Sequence, residues 1–234
     1  MITAILYFLA SFPCFALFIF FIVDYEQNHN KYVLYYALAF FAVYLFTFTL
    51  SVPVLVMPDN LTLLSYSYIG TLFFTYVLIL LCMRIQLIVT NHFYKKYYFA
   101  FNLLVATLGV VSIFFAVINI EEPIVSGLMV QMNLDRTASY ITGILSLVYG
   151  IFWAHLFHKV TLELQDKTLA RRMMTFSLNG LLYGTAGFAL FIDQNLFGEV
   201  VSMSLFFISF IVSVWVFVVP CIWDMTVHKK LVAK

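Results

Sequence analysis

The chain has 234 residues, of which 64% are hydrophobic and 10% charged, with a mean hydropathy of +1.02 and a formal net charge of +1. A soluble domain is about a quarter charged, so this balance excludes a self-contained soluble fold. Near-neutrality also removes any electrostatic case for binding nucleic acid.

Each helical crossing of a bilayer needs roughly 20 apolar residues. The hydropathy pattern supplies seven such segments, at about 2–23, 33–57, 63–90, 98–120, 137–157, 172–192 and 200–223. They predict one all-α integral membrane domain covering 1–234, a seven-transmembrane-helix bundle. The first segment begins MITAILYFLASFPCF, without a basic leader region or a clear small-x-small cleavage site. It therefore reads as a membrane helix rather than a removed signal peptide. Between segments two and three, MPDNLT reads as a tight turn with Pro58, Asp59 and Asn60 as breakers. The Asn60-Leu61-Thr62 sequon lies too near the membrane to be read as a glycosylation site.

The third segment carries the most polar face, with Tyr68, Thr71, Thr75, Cys82 and Gln86 on one side and Ile79 filling the gap. Intramembrane polar groups face protein or water rather than lipid, so this segment is expected at the centre of the bundle. Its stripe is the candidate ligand cavity. Hydroxyls that bond back to their own helix carbonyls would give packing instead. Arg84 interrupts the apolar run VLILLCMRIQLIVTNHF. It stands six residues before Thr90, roughly 9 Å along a helix. A long side chain can snorkel over that distance to the headgroups; the other reading pairs it with Asp224 at the same end.

The connection EEPIVSGLMVQMNLDR, 121–136, offers Ile124, Val125, Leu128, Met129 and Met132 as one apolar face. A short interfacial helix on the headgroups, or a lid, is expected there. In the fifth segment Ser139, Gly143, Ser146 and Gly150 recur at spacings of 4, 3 and 4. In the sixth, Ser177, Gly180, Gly184 and Gly187 recur at 3, 4 and 3. Both stripes hold one helix face. In lipid, small residues mark where backbones approach closely, so these two segments are expected to pack together. The connection between them, 158–171, has good helix formers and is expected to extend both helices, its basic residues meeting lipid phosphates or a partner protein. In the last segment Pro220 frees the carbonyl of Val216 and predicts a kink. Asp224 follows one turn later, and an Arg84–Asp224 pair across that kink would act as a latch.

Basic residues set the expected orientation. Ten of the twelve Lys and Arg residues fall on one side: Lys31, Lys95, Lys96, Lys159, Lys167, Arg171, Arg172, Lys229, Lys230 and Lys234. Arg136 is alone on the other side and Arg84 lies within a segment. The N-terminus is thus expected outside and the C-terminus in the cytoplasm.

Most familiar membrane chemistry lacks its residues. Cys14, Cys82 and Cys221 lie inside predicted helices without paired spacing. The histidines fall near the basic side, outside any recognised metal motif, and none sits at membrane depth to hold a haem. Residues 200–223 contain no lysine, which excludes a retinal Schiff base there. Carboxylates cluster at helix ends, which lowers the case for an ion-coupled carrier. No enzyme activity, cofactor or metal is expected.

The turn SVPVLVMPDNLTLLSYSYIG, followed by a long third segment ending CMRIQLIV, within seven helices and an outside N-terminus, resembles the seven-helix membrane sensor modules of bacterial signalling proteins. The resemblance implies a receptor-like protein of the bacterial inner or plasma membrane that binds a small or lipid-like ligand. In such modules a kinase or cyclase domain follows the last helix. Here the output is expected through a separate cytoplasmic partner, at 158–171 and the C-terminal tail. The alternatives are a non-catalytic subunit of a larger membrane complex and a small-solute transporter.

Overall fold

The computed structural model describes residues 2–89, 95–126, 129–165, 167–192 and 196–213. Seven helices occupy most of them: α1 (Ile2–Asn28), α2 (Lys31–Val56), α3 (Leu61–Val89), α4 (Lys95–Ile118), α5 (Arg136–Glu163), α6 (Lys167–Ile192) and α7 (Leu196–Ser213). A hairpin of β1 (Ile124–Ser126) and β2 (Met129–Gln131) precedes α5. Helices α1 to α6 each contain a stretch long and apolar enough to cross a membrane, and α7 is shorter, with an apolar Val200–Ser209. This is a multi-pass helical membrane protein.

The helix ends follow from local chemistry. At the end of α1, His29 takes a left-handed φ of 48°, and its amide returns to the Tyr25 carbonyl at 2.7 Å, the single-bond form of a C-terminal cap. Asn60 caps α3, accepting from the Leu63 amide at 3.0 Å. Asp135 caps α5, accepting from the Ala138 amide at 3.0 Å. The 158–171 connection is largely helical, α5 running on to Glu163 and α6 starting at Lys167.

Sequence neighbours pack side by side from α1 through α7, α7 returns to touch α1, and α3 reaches α5 behind α4. Rings dominate the α1–α2 seam, with Phe18 on Phe41 at 4.7 Å between centroids and Phe15 on Tyr44 at 5.0 Å. Phe206 of α7 closes the circuit. It is buried against Tyr7 of α1, Phe46 of α2 and Tyr183 of α6. The outside is apolar: α5 exposes Tyr140, Ile144, Val148 and Ile151 along one face, while its small and polar residues turn inward. That inversion is expected where lipid, not water, is the solvent.

The expected interfacial helix at 121–136 is not formed. Ile124 pairs with Gln131, Val125 with Val130 and Ser126 with Met129 in an antiparallel ladder. Pro123 has no amide for a helix ladder, and Ile124 and Val125 are β-branched and favour extended backbone. Met132 and Leu134 are buried while Ile124 is exposed, so the expected apolar face is divided. Leu128 lies outside the described residues. The segment is anchored by Ser65, which donates to the Glu121 carbonyl at 3.0 Å, and by Asn133, which donates to that of Glu122 at 3.1 Å.

Candidate functional site

The two small-residue stripes meet. A Cβ placed on Gly150 would lie 2.6 Å from both the Gly180 carbonyl oxygen and Gly184 Cα. One on Gly187 would lie 2.7 Å from the Ser146 Cβ, and one on Gly143 2.6 Å from the Ile192 side chain. Ser177 donates across the seam to the Ala154 carbonyl at 2.6 Å, and Ser139 is buried. Gly180 makes room for a side chain instead, since its Cβ would fall 2.5 Å from the Trp153 ring. Spacing places each set on one face of its helix, because positions three and four apart share a side, and the structure turns those two faces toward each other.

The α3 stripe is packed and divides in two. Tyr68, Thr71, Thr75 and Gln86 are all buried. In the upper half Thr71 shares a 2.9 Å hydrogen bond with Thr49 of α2, and Thr75 donates to the Thr71 carbonyl at 2.9 Å. In the lower half Gln86 Nε2 donates to the Tyr149 hydroxyl of α5 at 2.7 Å, and Cys82 interacts with the same hydroxyl. The stripe thus bonds to α2 at one end and α5 at the other.

Three further features lie outside the expected site. Tyr76 of α3 and Ser112 of α4 each stand 3.0 Å from the Thr142 hydroxyl of α5. Thr142 and Ser112 both reach the Ala138 carbonyl, at 2.8 and 3.0 Å. A consistent set of protons has Thr142 donating to that carbonyl and accepting from Tyr76, with Ser112 shared between the carbonyl and Thr142. Three helices are therefore joined through one threonine. On α6, Asn179 accepts from Ser209 of α7. Trp153, 7% exposed, packs among Tyr149, Phe157, Phe176 and Tyr183. Its buried indole N–H has no hydrogen-bond partner among the described residues. Asn179 was the most legible of these, since an amide inside an apolar run is itself a signal. Tyr76, Ser112 and Thr142 give no such signal until three helices are placed.

Arg84 does not face the bundle centre. It is exposed, with its guanidinium carbon 5.6 Å from the ring centroid of Tyr35 on α2 and 5.8 Å from that of Tyr98 on α4. The latch expected a bundle-facing arginine, and this position corrects that: the nearest aromatic faces hold it on the outer side of α3. Pro220 and Asp224, the other half of the latch, lie outside the described residues.

These features define a multi-pass, all-α integral membrane protein whose buried polar side chains are uncharged among the described residues. No protein-family model, curated protein or solved structure matches the chain.

Proposed function

We propose that this chain is a seven-span, receptor-like membrane protein with its N-terminus outside. It binds a small or lipid-like ligand and signals through a separate cytoplasmic partner at the basic α5–α6 connection. The observation that carries the reading is Trp153. A buried donor without a partner is uncommon in a folded protein and calls for an acceptor. Here it sits among aromatic rings, at a point where α5 touches α6 and, through Tyr149, the Gln86 end of α3. A ligand with an apolar body and one acceptor atom satisfies it, and the contact biases how α5 and α6 sit against α3. Neutral hydrogen bonds such as Tyr76–Thr142–Ser112 can be exchanged without burying charge, which suits a two-position element. The same neutrality counts against ion-coupled transport, where a charged midplane residue is usual.

The test uses purified protein in detergent, spin-labelled at the exposed positions Asn28 and Glu163, with the lipid extract of the expressing cells as probe. The expected result is a rise in melting temperature and a changed label distance, both lost in Trp153→Phe. An unchanged melting temperature and distance in the parent protein would sink the receptor reading, and protein-dependent solute flux in liposomes would replace it with transport.

A further inference from the structure

We propose that Arg84 of α3, Tyr35 of α2 and Tyr98 of α4 form a binding site for the phosphate of an anionic phospholipid, on the outer side of α3 at the basic end of the bundle. The proposal requires only that the bundle sits in a membrane; neither the orientation of the chain nor a signalling role enters it.

Depth is the first argument. Arg84 stands five residues before Val89, the last of α3, roughly 7.5 Å along the axis. Tyr35 is four residues into α2 from Lys31, and Tyr98 three into α4 from Lys95, roughly 6 and 4.5 Å. All three lie roughly one turn inside the same end of the bundle, where aromatic and basic residues meet the headgroups.

Charge is the second. The guanidinium is held over two rings, with both phenol hydroxyls close enough to interact with it. Those contacts orient the cation without supplying a negative charge. Among the described residues no carboxylate pairs with Arg84. The side chain is exposed on the outer surface of the bundle, where an anion can reach it from the surroundings. At this depth the available anion is a lipid phosphate.

Shape is the third. A guanidinium presents parallel N–H donors that match two phosphate oxygens, and the flanking rings fix the plane in which it does so. Lys31 is exposed and lies on the same face of α2 as Tyr35, one turn nearer the water. A zwitterionic headgroup would bring its own cation against Lys31, whereas an anionic one would not. The geometry therefore selects a phosphodiester with a net negative charge.

Delipidated protein in neutral detergent provides the test, with phosphatidylglycerol, phosphatidylcholine and inorganic phosphate as separate probes. Retained lipid is read by native mass spectrometry and stability by thermal shift. Phosphatidylglycerol is expected to be retained and to raise the melting temperature, and the other two to do neither. Arg84→Gln is expected to weaken retention about fivefold or more, the scale of one basic contact with an anionic headgroup. Arg136→Gln, exposed at the opposite end of the bundle, is expected to leave it unchanged. Should Arg84→Gln fail to fold, Tyr35→Phe with Tyr98→Phe removes only the hydroxyls, and is expected to lower retention by a smaller factor. Wild-type retention in the Arg84 variant, or in the double tyrosine variant where Arg84→Gln does not fold, overturns the site. Equal stabilisation by inorganic phosphate, or equal retention of phosphatidylcholine, overturns the assignment to an anionic lipid.

Discussion

Gly150 of α5 and Gly184 of α6 touch through their backbones: a Cβ on the first would lie 2.6 Å from Cα of the second, and the reverse distance is 2.7 Å. No rotamer change relieves such a clash, because the obstacle is main chain. Gly150→Ala is therefore expected to destabilise by about 1–3 kcal/mol, the cost of overpacking, and Gly150→Val by more. Gly70 is the control. Its Cβ would meet only Thr49 Cγ2, at 3.7 Å, so Gly70→Ala is expected to be neutral or slightly stabilising. Thermal unfolding in one detergent ranks the three; equal loss for Gly70 and Gly150 would refute close backbone packing.

Thr142 joins α3, α4 and α5 with one hydroxyl. Thr142→Val keeps its volume and removes the oxygen that Tyr76 and Ser112 share. Interhelical hydrogen bonds in membranes couple by about 0.6 kcal/mol on average and at most about 1.7. A Tyr76→Phe, Thr142→Val double-mutant cycle is expected to give a coupling within that range. Additive losses across the cycle would mean that the two hydroxyls do not depend on each other.

Asp135 does two jobs at the start of α5. Its Oδ1 accepts from the Ala138 amide and its Oδ2 from Asn119 Nδ2, both at 3.0 Å. Asp135→Ala is expected to cost about 1 kcal/mol for the lost cap, and Asp135→Asn markedly less, because an amide oxygen can still cap. The hairpin sits between the two ends of this link, so hydrogen exchange in Ile124–Gln131 should rise in the alanine variant. An unchanged exchange rate there would separate the cap from the hairpin.

What could be read from the sequence depended on how local the signal was. The six long apolar helices are visible as hydropathy, and the α5–α6 stripes as spacing, because both are properties of one helix at a time. The division of the α3 stripe between Thr49 and Tyr149 is not, since it needs the azimuth of three helices. The hairpin at 124–131 was missed because its apolar residues fit a helical face as well as a strand; Pro123 and the β-branched pair after it were the better guide. Arg84 was legible in depth but not in direction. Depth follows from counting residues to a helix end, whereas direction depends on where Tyr35 and Tyr98 arrive from other helices.

The imbalance of basic residues makes orientation testable by labelling. Lys31, Lys159, Lys167 and Arg171 cluster at the end where α1, α3 and α5 finish, whereas Arg136 stands at the opposite end. Basic residues near helix ends are retained in the cytoplasm. Asp59, in the turn between α2 and α3, and His158, one turn before the end of α5, are exposed at opposite ends. Asp59→Cys and His158→Cys each add a thiol that a membrane-impermeant maleimide can reach from one side only. The native Cys14 is fully buried and contributes little background in the folded protein; subtraction of the parent signal removes the rest. In intact cells Asp59→Cys is expected to label and His158→Cys to label only after the membrane is opened. The reverse pattern would invert the bundle, and with it the side on which any partner of the α5–α6 connection must be sought.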